Sequence, residues 1–132
     1  MAHAYHHAVS SARRFGGPPE AYIALHSWFD ATKELFGDFR HRALRHHTHG
    51  IFEAERVFGT TLSITMKSGE VKQVPTRLVA EQHVIEDMGR LVTAADWLGC
   101  IRPDPSWMNR PRKLSRELVA ENPQRTEEVR GG

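Results

Sequence analysis

Between Arg40 and His49 the chain holds three arginines and four of its nine histidines. That pairing suits anion recognition. Guanidinium forks hold phosphate or carboxylate oxygens two at a time, and imidazoles add hydrogen bonds and a stacking face. A solvated helix face more commonly carries lysine and glutamate, yet no lysine stands between Lys33 and Lys67. Read as one helix, the segment puts Arg42, His46, His49 and Glu53 on a single stripe, at spacings of four, three and four. Arg40, Arg42 and Arg45 are expected to grip the anion while His41 and His46 orient it. His47 falls on the apolar face and reads as a core histidine.

Two other clusters bear on this one. In Glu81-Gln82-His83-Val84-Ile85-Glu86-Asp87, His83 and Asp87 lie one helical turn apart. His83 is expected to face the ligand, with Arg77 and Glu81 lining the far wall. The N-terminal cluster contains His3, His6, His7, Ser10, Arg13 and Arg14, and His7 joins the candidate ligand residues. A rival chemistry is a metal-dependent hydrolase whose metal ligands are His46, His49, Glu53 and His83. The neighbouring arginines would repel a divalent cation, so the expectation is no metal and no cofactor. Glycine-rich phosphate loops, Gly-x-Ser-x-Gly elbows and His-Glu-x-x-His motifs do not occur in the sequence.

Apolar spacing predicts the elements that must position these side chains. Tyr5, Ala8, Ala12 and Phe15 mark a helix over 4–14, stopped by Gly16-Gly17. A second helix, over 19–29, opens on proline and turns Tyr22, Leu25, His26 and Phe29 inward. After a break between Asp30 and Asp38, the longest periodic stretch predicts a helix over 38–58. Phe39, Ala43, His47, Ile51, Ala54 and Phe58 would share its inner face, with Gly50 allowing a close approach or a kink. Alternating β-branched residues around Lys67-Ser68-Gly69-Glu70 predict a hairpin within 60–75. A helix over 77–88 follows, then a short one capped by Thr93 and Asp96. The fold class is α+β, mostly α, with four or five helices and one hairpin. Residues 1–108 read as one domain, and 109–132 as a disordered polar tail with one fragile helical turn near 114–120.

The 132 residues carry a net charge of only +2, and 39% are apolar. That charge argues against nucleic acid as a partner in bulk electrostatic terms. A single cysteine, Cys100 in an apolar setting, is expected to be a buried small hydrophobe in a reducing cytoplasm. No apolar run reaches the length of a membrane span, and no secretory signal is expected.

The chain resembles a family of small, largely uncharacterised proteins from bacteria, phages and mobile elements. The matching segments are His-His-Ala-Val-Ser-Ser-Ala-Arg-Arg-Phe-Gly-Gly (6–17), His-Ser-Trp-Phe-Asp (26–30), Asp-Phe-Arg-His-Arg-Ala-Leu-Arg-His-His (38–47) and Gly-Ile-Phe (50–52). Further along are Val-Pro-Thr-Arg-Leu-Val-Ala-Glu-Gln-His-Val-Ile-Glu-Asp-Met-Gly (74–89), Ala-Asp-Trp-Leu (95–98) and Trp-Met (107–108). The resemblance covers about residues 5–108 and implies a single domain with no assigned activity. Family patterns often carry glutamate where His49 stands, which weakens a metal site built on His49. The phage association implies a sponge for nucleotide immune signals, such as ADP-ribose-type signals of the Thoeris defence class, in a bacterial or infected host cell. The leading expectation is therefore non-catalytic binding of a small anionic, nucleotide-like ligand, by a protein compatible with a homo-oligomer. A metal-dependent hydrolase and a protein-interaction module are its rivals.

Overall fold

A computed structural model describes residues 2–103 and 106–109. Helix α1 (Ala2–Phe15) ends at Gly16 and Gly17, whose φ angles of 97° and 76° favour glycine. A Cβ on Gly17 would lie 2.3 Å from Ile64 Cγ2, so the chain turns here in close contact with the hairpin. The expected second helix divides into a 3₁₀ turn, Pro19–Tyr22, and α2 (Ile23–Asp30). A 3₁₀ turn at Ala31–Glu34 follows within the expected break.

The predicted 38–58 helix is where the structure departs most from the periodicity. It is a 3₁₀ turn at Phe39–His41, a four-residue α3 (Arg42–Arg45) and α4 (Thr48–Phe58). His46 leaves helical backbone, and His47 is extended with φ −165°. The cause is local. The His47 ring accepts a hydrogen bond from Gly50 N at 3.0 Å, capping α4 as an asparagine or aspartate would. Gly50 sits in the first turn, where a Cβ would lie 1.8 Å from the Arg45 carbonyl oxygen. The break abolishes the expected common face. Ile51 and Ala54 are buried, whereas Phe39 is 66% exposed.

Strands β1 (Thr61–Thr65) and β2 (Val71–Pro75) form the expected antiparallel hairpin, with Thr61 opposite Pro75 and Thr65 opposite Val71. Helix α5 (Thr76–Met88) follows, then α6 (Ala94–Leu98), which starts on the predicted Thr93–Asp96 capping box. The chain is thus mostly helical with one hairpin. Residues Met1–Gly99 form one compact unit. In the second unit a 3₁₀ turn spans Ser106–Asn109, and Trp107 is exposed. The sequence expectations for 109–132, Asn109 excepted, lie outside the described residues.

Tyr22, Leu25, Phe29, Ile51, Ile64, Val74, Val79 and Val84 supply most of the apolar core of the first unit. Beside it His7, Ser11, His26, His41, His46, Gln82 and His83 are also buried. Helix α1 therefore presents His7, Ala8 and Ser11 inward, and leaves Tyr5 about half exposed. The expectation that Cys100 is buried is overturned, for it is exposed. The five-residue α6 ends at Leu98, two positions before it.

Candidate metal centre

Four donor-bearing side chains converge from three segments. Asp30 closes α2, His46 sits at the α3–α4 break, and His83 and Asp87 lie one turn apart on α5. One donor atom from each falls within 4.8 Å of the others. His46 Nε2 lies 3.1 Å from His83 Nε2 and 2.9 Å from Asp87 Oδ2. His83 Nε2 lies 3.2 Å from Asp87 Oδ2, and both imidazole nitrogens lie 3.4 Å from Asp30 Oδ1. A tetrahedral ion with bonds of about 2.0–2.1 Å separates its ligands by roughly 3.3 Å. The five distances have the size of tetrahedron edges.

Electrostatics favours a cation here. Burial pushes the Asp30 carboxyl up, but hydrogen bonds and charge from His46 and His83 outweigh it and hold the group well below the carboxylate range. Asp87 behaves alike: burial raises it, and His46, His7 and His83 together lower it further. Both therefore stand ionised. With an ion in place of the imidazole protons, two carboxylates and two neutral imidazoles would balance its divalent charge, and this N₂O₂ set suits zinc or another borderline first-row ion.

A second layer fixes these ligands. His7 Nδ1 lies 2.6 Å from Glu86 Oε1, and its Nε2 lies 3.1 Å from Asp87 Oδ1. Each ring nitrogen faces a carboxylate oxygen, so each donates and the ring is an imidazolium. Burial lowers its pKa, but the bonds to Asp87 and Glu86 raise it more, for a net rise. His7 thus holds Asp87 Oδ1 and leaves Oδ2 to the centre. Phe29 stacks on His83 with ring centroids 4.8 Å apart, and Trp97 Nε1–H donates to the His46 carbonyl at 3.0 Å. His26 lies behind His83, Nδ1 to Nδ1 at 2.9 Å, and burial with the His83 and His7 charges pushes it down to about 2.

A cleft of about 230 Å³ reaches the two carboxylates, with Lys33, His41 and Arg42 also on its walls. His41 donates Nδ1–H to the Asp38 carbonyl at 2.7 Å, so in the neutral ring Nε2 carries the lone pair. That nitrogen is buried without a hydrogen-bond partner, 3.9 Å from Asp30 Oδ1, which is too far for a direct bond.

The other sequence candidates lie elsewhere. Arg40 is forked onto Asp38 and covers the Phe36 ring. Arg45 stacks 4.1 Å over Trp28 and donates to the Trp28 carbonyl. Arg77 and Glu81 face each other at 3.9 Å; Glu81 is two positions from His83, about 200° around the helix, and so on its opposite side. Of the alternative metal set, His46 and His83 meet, while His49 and Glu53 form a surface pair with each other at 3.5 Å. Asp30 and Asp87 take the places expected of His49 and Glu53. A legible signal existed, because His26-x-x-x-Asp30 and His83-x-x-x-Asp87 are the same one-turn pair on two helices. Ser11, Gln82 and Glu86, which support the centre, had no comparable signal.

Residues 2–108 match a family described as a domain of unknown function (DUF6915). The chain belongs to this family. No curated protein and no solved structure matches the chain.

Proposed function

We propose that this DUF6915 protein binds one divalent transition-metal ion through Asp30, His46, His83 and Asp87, and uses it to activate water as a metal-dependent hydrolase. The observation that carries this reading is the set of five donor separations of 2.9–3.4 Å, buried and balanced in charge. A bound ion of this class lowers the pKa of its water to about 7 and supplies a nucleophile at neutral pH. With an ion held there, the His41 Nε2 lone pair, beside Asp30 and on the cleft wall, would be the acceptor for that water's proton. Two of the three arginines that argued against a metal are directed away, Arg40 onto Asp38 and Arg45 onto Trp28, while Arg42 stands on the cleft wall.

A second reading keeps the ligand and drops the turnover. Lys33 and Arg42 beside the cleft favour a small anionic, nucleotide-like ligand, sequestered without reaction, and an anti-defence role would follow from that. The test of the first reading is metal stoichiometry. Protein purified without chelators or affinity nickel, then offered zinc, manganese, iron(II), cobalt(II) and nickel, should retain about one ion per chain. His83→Ala and Asp87→Asn should lose it, and His49→Ala should keep it. Micromolar binding of none of these ions would overturn the metal reading. Stoichiometric metal without hydrolysis of a panel of phosphate, carboxylate and amide esters would favour sequestration.

A further inference from the structure

The hydrogen bonds behind His83 have only one consistent direction, and it starts from a group whose role is fixed. The His7 carbonyl can only accept. Gln82 Nε2 lies 3.1 Å from it and 3.3 Å from Glu86 Oε1, a second acceptor. The amide nitrogen must therefore be on that side, and Gln82 Oε1 points the other way. Ser11 Oγ lies 3.1 Å from Gln82 Oε1, so the hydroxyl donates its one hydrogen there. His26 Nε2 lies 2.8 Å from the same hydroxyl oxygen, which now has only lone pairs left, so Nε2–H donates. His26 is fully buried, and its two ring nitrogens contact Ser11 and His83 with no carboxylate at hydrogen-bond distance. A second proton on it would be a buried charge without a counter-ion, so the ring is neutral and its Nδ1 is bare. That leaves His83 Nδ1, 2.9 Å away, as the donor.

We propose that Gln82, Ser11 and His26 are positioning residues that hold the proton on Nδ1 of His83 and so commit its Nε2 to the four-donor site. Reversing the chain at any link would set lone pair against lone pair in a buried place, at the full desolvation cost of each orphaned group. Free imidazole side chains favour the opposite tautomer, with the proton on Nε2, so the relay works against the intrinsic preference. The role of the relay rests on the metal reading, but the position of the proton does not.

The two are therefore tested apart. Long-range proton–nitrogen correlation spectra of the full chain, labelled with ¹⁵N-histidine, report each ring nitrogen's protonation directly. In metal-free protein at about pH 8, His83 should show a pyrrole-type Nδ1, and zinc should change only the Nε2 signal. Ser11→Ala should let His26 reverse and move part of His83 to the Nε2–H form. It should also weaken zinc binding by about 10- to 100-fold, the usual effect of losing an outer-shell partner. Ser11→Thr, which restores the hydroxyl, should recover both. Should Ser11→Ala fail to fold, Gln82→Ala supplies the same readout one link further out. A wild-type His83 with a bare Nδ1 in the metal-free protein would overturn the relay, as would a folded Ser11→Ala with unchanged tautomer and affinity. If zinc fails to bind the wild type, the metal reading falls and the metal-free spectrum still decides the relay.

Discussion

Among the described residues six histidines are buried, and each of the six is held by a specific atom rather than by general polarity. His7 shows how a residue outside the ligand set acts on it. Its two ring nitrogens hold Glu86 and Asp87, so His7→Ala leaves all four candidate ligands in place but frees Asp87 Oδ1. Zinc affinity, measured by competition with a chromophoric chelator, should fall about 10- to 100-fold. His49→Ala removes a surface pair with Glu53 and a ring contact with His47 at 6.1 Å, both away from the four donors, so it should change stability by less than about 0.5 kcal/mol and leave zinc affinity unchanged. Equal losses in the two variants would mean that His7 has no special relation to the site.

At the scale of elements, the α3–α4 junction is decisive, because it delivers His46. The junction closes around Gly50, where a Cβ would meet the Arg45 carbonyl oxygen at 1.8 Å, and backbone cannot move aside as a flexible side chain can. Gly50→Ala should cost at least the ~1–3 kcal/mol typical of overpacking, read as a lower urea midpoint, and should lower metal affinity as His46 shifts. The same junction is sensitive to acid. His47 Nδ1 must be unprotonated to accept from Gly50 N, and burial lowers its pKa further than the Ala43 and Leu44 carbonyls raise it. As pH falls below about 6.5, the unfolded chain gains a proton that the folded one resists. Stability from this group is complete above that pH and is lost below it. In chelator-treated protein the urea midpoint should therefore fall from pH 7.5 to 5.5. The slope should be shallower in His47→Asn, which keeps a capping oxygen but does not titrate.

Across the whole molecule, the candidate centre ties together three segments that also meet through the apolar core and through the Arg45–Trp28 and His26–His83 hydrogen bonds. A ligand that binds only the folded arrangement stabilises it by mass action, by about 2.7 kcal/mol at a concentration one hundred times its dissociation constant. The melting temperature should rise with added zinc and return with chelator, and Asp87→Asn should show neither change. A wild-type melting temperature indifferent to zinc at that excess would argue that the four donors do not act as a site.

Local signals in the sequence determined the local elements. The Gly16-Gly17 stop, the hairpin around Lys67–Glu70, the helix from Thr76 and the Thr93–Asp96 cap all follow from residues within a few positions of each other. Periodicity also placed His83 and Asp87 on one face, because residues four apart on a helix must share it. It misread 38–58, because the apolar spacing runs through the break and the residue that ends the helix is a histidine, which is not among the usual capping residues. Which faces meet was decided only by tertiary packing. Asp30 precedes His83 by 53 positions, and no short-range pattern says that α2 and α5 turn these side chains toward each other. The apolar core that seats both helices around Phe29, Val79 and Val84 brings their carboxylates and imidazoles together. Once they are together in a buried place, they must satisfy one another or share a cation, because water is no longer there to do it.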